Sequence, residues 1–92
     1  MLTAIVLIDT DPDVIPEVGV QVADLSGVSE CYSVSGAPDL VAMVRVRDHE
    51  ELADAIADGI SKIPGVRRTT TMIAFRTYSS VDLEQAFALG LE

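Results

Sequence analysis

The chain has 92 residues, enough for one domain and too few for a second core. Its net charge is −9 with only six Lys and Arg residues, so direct binding to nucleic acid is not expected, because that affinity depends on neutralising phosphates. Hydrophobic residues make up 49% of the chain and aromatic residues 4%. This aliphatic excess is more than a small core absorbs, and we expect part of it to be buried against another copy.

The N-terminus has the pattern of a strand and not of a signal peptide. It carries no basic segment, and Asp9 interrupts the apolar run that starts at Leu2. No apolar stretch is long enough to cross a membrane. Cys31 is the only cysteine, which excludes a disulfide within the chain. We therefore predict one domain over residues 1–92, located in the cytoplasm and without membrane contact.

The first elements in chain order are a strand and a helix. Leu2–Ile8 is almost continuously apolar, as in a strand that is buried on both faces. Helix-start residues follow at Asp11–Asp13, with a proline between the two carboxylates. Apolar residues then recur at helical spacing (Ile15, Val18, Val22, Leu25). Gly27 ends this helix.

Five further elements complete the pattern. Strands are predicted over residues 28–35 and 40–47, a helix over 48–63, and a long fourth strand over 66–78. Ser79 and the serine after it are suited to cap a short final helix. Simple alternation places four residues of the second strand on one face (Val28, Glu30, Tyr32 and Val34).

Two β-α-β units in series predict the fold class. Each helix passes into a strand through a Gly-Val pair, Gly27-Val28 in the first unit and Gly65-Val66 in the second. This order is typical of an α+β, ferredoxin-like βαββαβ antiparallel sheet with both helices on one face. The other face would be exposed in a monomer, and the third strand is apolar on both sides. Face-to-face dimerisation of two sheets would cover it.

A tight corner, Ser35–Asp39, separates the second and third strands. Gly36 suits a positive φ, and Pro38 presets φ and has no amide donor. Outward-facing amides in such a corner suit a carboxylate, and Asp39 suits an ammonium group. A free α-amino acid carries both groups on one carbon. The alternative is an ordinary turn, in which an aspartate is common.

No catalytic or metal-binding constellation stands out. His49 is the only histidine, and no second cysteine accompanies Cys31, so no metal site, catalytic residue or cofactor is expected. Thr69 and Thr71 share one face of the fourth strand, where their hydroxyls are suited to a small polar ligand. The strand propensity of threonine explains them equally well.

These segments in their order resemble the effector domain of the Lrp/AsnC family, the feast/famine regulators that sense amino acids. The resemblance covers the chain from Leu2 to the final helix. The matching motifs are Gly27-Val28, then Val34-Ser35-Gly36-x-x-Asp39-Leu40, then Ile63-Pro64-Gly65-Val66-x-x-Thr69-x-Thr71. The resemblance implies a dimeric α/β barrel, assembly of dimers into tetramers up to decamers, and a free amino acid bound between dimers.

The resemblance also implies where the ligand binds and how the domain acts. It places the site at the corner (Ser35, Gly36, Ala37, Pro38 and Asp39), with Thr69 and Thr71 in the matching region. Family members usually carry a helix-turn-helix domain before this module, whereas Met1 directly precedes the first strand here. We therefore expect the stand-alone form, which acts through a partner such as a full-length relative. Pro38 replaces a bulkier residue of many relatives, so we expect ligand specificity to differ there.

Three functions are compatible with this pattern. The first is a non-enzymatic amino-acid sensor that couples ligand binding to assembly in transcriptional regulation. The second is a small enzyme of the oxygenase or isomerase type, since dimeric α/β barrels also host such chemistry. The third is a purely structural oligomerisation module with an empty corner. Because no catalytic set is present, the sensor is the function that we predict.

Overall fold

A four-stranded antiparallel sheet forms from β1 (Leu2–Thr10), β2 (Val28–Ser33), β3 (Leu40–Val46) and β4 (Val66–Ile73). The computed structural model describes residues 1–80. The strand order is β2-β3-β1-β4, so the first strand of the chain lies inside the sheet. This confirms the predicted ferredoxin-like α+β fold. The final helix predicted after Ser80 lies outside the described residues.

Two helices connect the strands. A single 3-10 turn, Pro12–Val14, leads into α1 (Ile15–Ala23). The second helix, α2, begins as a regular α-helix at His49–Ala53, widens to π geometry over Asp54–Gly59 and closes with the 3-10 turn Ile60–Lys62. The Asp48 carboxylate caps it by accepting a hydrogen bond of 2.8 Å from the amide of Glu51.

The core lies between the helices and one face of the sheet, and it is aliphatic. Its strand residues alternate along β1 and β3, as the period of two requires. The buried hydrophobic residues are Ala4, Val6, Ile8, Val18, Val22, Leu40, Ala42, Val44, Val46, Leu52, Ala55, Ile60 and Ile63. Within residues 1–80, no aromatic side chain belongs to this set.

The intervening strand residues form the opposite surface, which we call the outer face. It comprises Ile5 and Leu7 of β1, Val41 and Met43 of β3, Tyr32 of β2, and Thr70 and Met72 of β4. The strand register places Met43 and Met72 on either side of Ile5, and Val41 and Thr70 on either side of Leu7. These side chains are half-buried or exposed, because neither α1 nor α2 covers them. Among residues 1–80, the predicted uncovered apolar face is therefore present.

A β-bulge in β2 corrects one prediction. The register shifts between Val28 and Glu30, so Val28 lies opposite Val44 and Glu30 lies opposite Met43. Val28 packs against the core, whereas Glu30 and Tyr32 lie on the same side of the sheet as the outer face. The prediction that Val28 shares a face with Glu30 and Tyr32 was wrong, because the extra residue reverses the alternation.

The strands β2 and β4 end earlier than predicted. β4 ends at Ile73 and not at residue 78, since its neighbour β1 begins at Leu2 and the last ladder bond joins the Ala74 amide to the Thr3 carbonyl at 2.9 Å. β2 ends at Ser33, two residues before the predicted end. In both cases the pairing with the partner strand sets the length.

Two glycines with similar backbone conformations differ in their surroundings, and this yields a stability prediction. Gly65 has φ +100°, and a Cβ there would lie 2.6 Å from Cγ2 of Val14. Gly36 has φ +91° and nothing within 4 Å of such a Cβ. We expect Gly36→Ala to cost about 1–2 kcal/mol from backbone strain alone. Gly65→Ala adds about 1–3 kcal/mol of overpacking to that strain.

Urea unfolding of the two alanine variants beside the unchanged protein measures this difference. We expect the Gly65→Ala variant to be the less stable of the two. Equal losses of unfolding free energy would show that Val14 moves aside without cost.

Candidate functional site

The corner Ser35–Asp39 lies between the ends of β2 and β3. It is closed by a hydrogen bond of 3.3 Å from the Val34 amide to the Asp39 carbonyl. Gly36 adopts the predicted positive φ, and the Ala37–Pro38 peptide bond is cis. Among residues 1–80, the amides of Ser35, Gly36 and Ala37 donate to no acceptor, and these three residues are exposed. The corner therefore contains three amide donors that have no acceptor among the described residues.

Asp39 ties the corner to the end of β1. Its amide donates to the Ile8 carbonyl at 3.1 Å, and its Oδ2 accepts a hydrogen bond of 2.9 Å from the amide of Thr10. Within the described part of the chain, its second oxygen, Oδ1, accepts no hydrogen bond. Asp39 thus stabilises the turn through one of its two carboxylate oxygens.

Thr10 is the site residue that sequence reasoning missed. It is the last residue of β1, 4% exposed, and its hydroxyl donates to the Asp11 carbonyl at 3.1 Å. Asp11 in turn pairs with Arg67 at 2.7 Å, and its amide donates to the Gly65 carbonyl at 2.8 Å. These contacts fix the end of β1 against the start of β4. No local pattern links Thr10 to a carboxylate 29 residues away.

The two threonines lie across β1 from the corner. Thr69 is opposite Ile8 and Thr71 is opposite Val6, so both share the helix-covered side of the sheet, as predicted. Thr69 is half-buried and Thr71 is exposed at the edge. Because β1 separates β3 from β4, the threonines stand about 10 Å from the line of β3. Within one chain, the head group of a single amino acid cannot contact both the corner and Thr71.

An apolar groove of about 420 Å³ adjoins the corner, between α1 and the strands β2 and β3. Two of its residues, Ser33 and Leu40, are the strand ends that flank the corner. Its lining residues are Ile15, Pro16, Gly19, Val20, Ala23, Cys31, Ser33 and Leu40. Sequence reasoning did not find this groove, although the small residues Gly19 and Ala23 in α1 were a signal of reduced packing.

Cys31 lines this groove, and its environment predicts a pH dependence. Burial raises the pKa of the Cys31 thiol, because partial loss of hydration disfavours the thiolate. The native state then holds this proton more tightly than the unfolded chain. The thiol's contribution to stability is therefore present at neutral pH and is lost as pH rises past the ordinary thiol range.

We expect the alkylation rate of Cys31 with iodoacetamide to rise at higher pH in the native protein than in urea. Coincident pH profiles would contradict this.

Other kinds of site find no support in residues 1–80. No group of three or more His, Cys, Asp or Glu side chains in this range is arranged to hold a metal ion. None of the helices described is both long and apolar enough to cross a membrane.

Comparison with known proteins gives one consistent result. The sequence model described as the Lrp/AsnC ligand binding domain matches residues 3–82. The uncharacterized HTH-type transcriptional regulator PH1916 of Pyrococcus horikoshii is 40% identical over 78 residues, which are 82% of this chain and 52% of that protein. The chain thus spans about half the length of the curated relatives that it matches.

Solved structures agree with this assignment. The structure of TTHA0845 from Thermus thermophilus is 47% identical, with a TM-score of 0.82 over 86% of this chain and 99% of that one. The leucine response regulatory protein LrpA of Mycobacterium tuberculosis is 31% identical, with a TM-score of 0.72 over 86% of this chain and 53% of that one.

The names of these relatives are those of transcriptional regulators. Together with the match to a ligand binding domain, they support a regulatory role in effector binding and agree with the predicted non-enzymatic class. The chain belongs to the Lrp/AsnC family, whose ligand-binding domain it matches over residues 3–82.

Proposed function

We propose that this chain is an amino-acid-responsive oligomerisation module of transcriptional regulation, with its effector bound at the corner Ser35–Asp39 between neighbouring dimers. The observation that carries the proposal is the pairing of opposite binding groups at the corner. In the described range, the amides of Ser35, Gly36 and Ala37 donate to no acceptor, and Oδ1 of Asp39 accepts no hydrogen bond.

The chemistry of these groups favours a free α-amino acid. Consecutive outward amides bind anions such as the α-carboxylate. The open Oδ1 of Asp39 suits the α-ammonium group, in a charge-assisted hydrogen bond. Since Oδ2 is already fixed by the Thr10 amide at 2.9 Å, the carboxylate is oriented before the ligand arrives, which lowers the entropy cost of binding.

The distance to the threonines supports a site shared between copies. Thr69 and Thr71 lie two strands away from β3, about 10 Å in a sheet. In our proposal the ligand at one corner meets residues of a neighbouring dimer, and Thr69 and Thr71 contribute from their own side of such a junction. Ligand binding then shifts the assembly, because the occupied site exists only in the associated form.

The outer face is the surface by which we propose that two copies form each dimer. Its centre is apolar, and its rim charges are balanced: Glu30 pairs with Arg45 at 3.1 Å, and Asp9 lies opposite Arg68. The helical side is acidic by contrast, with carboxylates at Asp11, Asp13, Glu17, Asp24, Asp48, Glu50, Glu51, Asp54 and Asp58. In a chain of net charge −9, two copies repel each other least through the balanced face.

The groove beside the corner suggests the ligand class. It is lined mainly by aliphatic and small residues of α1, such as Ile15 and Val20, so it suits an apolar side chain. We propose that aliphatic amino acids bind more tightly than acidic ones. The net charge of −9 also disfavours the binding of an acidic side chain. The name of the related leucine response regulatory protein, at 31% identity, is in line with this class.

A partner would carry the response to DNA. With six basic residues against 15 acidic ones, this domain is not suited to hold phosphates itself. A full-length relative with its own DNA-binding domain could share the same interfaces. The cytoplasmic location predicted from the sequence stays a prediction.

Thermal unfolding against a panel of free amino acids tests this proposal. A ligand at one hundred times its dissociation constant stabilises the folded state by about 2.7 kcal/mol. The matched controls are the N-acetyl derivative and the methyl ester of the same amino acid, which remove the ammonium charge and the carboxylate charge. We expect both controls to lose the effect. No shift with any amino acid, together with an unchanged assembly size, would refute the proposal.

A purely structural oligomerisation module is the second candidate. The hydrogen bond from Thr10 to Asp39 favours it, because this bond alone gives the carboxylate a role in closing the turn. The two candidates differ in whether Asp39 is needed for a response to ligand.

A further inference from the structure

The aromatic residues within residues 1–80 lie on the surface. The chain contains two tyrosines, two phenylalanines and no tryptophan. In the described range, Tyr32 is 52% exposed, Phe75 98% and Tyr78 85%. Aromatic side chains carry the largest gain from burial, and they are enriched in the centres of interfaces between proteins. None of these three residues belongs to the core formed by residues 1–80, so their side chains are accessible to another molecule.

Two of these residues belong to a segment that runs past the edge of the sheet. We call Ala74–Tyr78 the arm. It follows β4 directly, and the bond from the Ala74 amide to Thr3 is its last contact with the β1 ladder. Beyond it the arm has no regular secondary structure. Within residues 1–80, Phe75 and Tyr78 therefore have no neighbouring strand to pack against.

We propose that the arm packs against a second copy of this chain and anchors the dimer that forms through the outer faces. The inference rests on the proposed dimer and goes beyond it by assigning the arm a role. We choose a second copy as the partner because the arm is continuous with the outer face. β4 places Met72 on that face, and the arm starts two residues later. In a two-fold dimer each copy supplies one arm and receives one.

Charge and area favour the same partner. The arm contains one charged residue, Arg76, and no carboxylate, whereas each copy has a net charge of −9. A positive arm is attracted to an acidic copy. Burial of Phe75 and Tyr78 would cover about 300–500 Å² per arm, roughly half of the ~800 Å² that a standard interface buries on each partner.

The two tyrosines allow a direct test by acrylamide quenching of tyrosine fluorescence. In the Tyr32→Phe variant, Tyr78 is the only tyrosine and reports on the arm. In the matched Tyr78→Phe variant, Tyr32 reports on the outer face. Each variant is measured as a folded dimer, confirmed by sedimentation, and again after unfolding in urea, which gives the fully accessible reference. We expect the quenching constant of both tyrosines to be several-fold lower in the dimer than in the urea-unfolded protein.

The outcomes separate the arm from the proposed dimer. If Tyr78 is quenched as readily as in urea while Tyr32 is shielded, the arm inference is wrong and the outer-face dimer stands. If both are quenched freely, the outer-face dimer fails as well. If Tyr78 alone is shielded, the arm docks elsewhere, which contradicts the inference.

A second measurement separates shielding by the partner from shielding within one chain. Phe75→Ser should raise the dimer dissociation constant about tenfold or more, as for an interface anchor. Ala57→Ser, at an exposed position in α2 outside the groove, is the matched control and should leave it unchanged. An unchanged dissociation constant for Phe75→Ser would overturn the inference.

Discussion

Replacing Met43 by Asp is expected to convert the assembly into monomers of 9.8 kDa. Met43 lies on the outer face beside Ile5 and opposite Glu30, where the proposed dimer would bury it. An unpaired carboxylate buried in an interface costs about 3–5 kcal/mol. Each 1.4 kcal/mol is a factor of about ten in a dissociation constant, so the dimer should weaken by more than about a hundredfold. Sedimentation velocity over a dilution series measures this change.

The matched control for this variant is Ala57→Asp. Ala57 is also an exposed apolar residue, but it lies in α2 and neither on the outer face nor in the groove beside the corner. We expect Ala57→Asp to keep the assembly of the unchanged protein. Circular dichroism verifies that Met43→Asp stays folded, since the substitution leaves the buried core untouched. A folded Met43→Asp protein that still sediments as a dimer would exclude the outer face as the interface.

Asp39→Asn is expected to abolish the response to amino acids while leaving the fold nearly as stable as before. The amide oxygen of asparagine can still accept the hydrogen bond from Thr10, whereas the charge that binds an ammonium group is lost. The stabilisation by effector, about 2.7 kcal/mol at one hundred times the dissociation constant, should therefore fall to near zero. Thermal and urea unfolding with and without the effector give both quantities.

Two further variants sharpen this prediction. Asp39→Ala also removes the acceptor for the Thr10 amide, so it should destabilise the ligand-free protein by about 1–3 kcal/mol. Asp13→Asn neutralises an exposed carboxylate in the turn that follows β1 and should change neither property. A full ligand response in Asp39→Asn would limit Asp39 to closing the turn and would favour a purely structural use of the corner.

The elements that the sequence predicts well are those with strong local periodicity. The apolar run at the start of the chain and the regular spacing from Ile15 onwards correspond to β1 and α1. Gly27 and Gly65 adopt the positive φ that ends each helix. Such features depend on neighbouring residues, so a single sequence contains them.

The features that sequence analysis missed depend on contacts between distant residues. The bulge in β2 is defined only by its pairing with β3, and the end of β4 only by where β1 begins. The contact between Thr10 and Asp39 joins positions 29 residues apart. At the candidate site, Gly36 and Asp39 could therefore be proposed from turn chemistry, but the orientation of the carboxylate and the groove beside it could not.

The central claim is that an amino acid binds at the corner and joins neighbouring dimers. A crystal structure of the protein with the amino acid that stabilises it most tests this directly. We expect density for a ligand whose carboxylate contacts the amides of Ser35–Ala37 and whose ammonium group contacts Asp39. Residues of a second dimer should lie within contact distance of this ligand. Density that lies away from the corner, or at the corner with contacts to one chain alone, would contradict it.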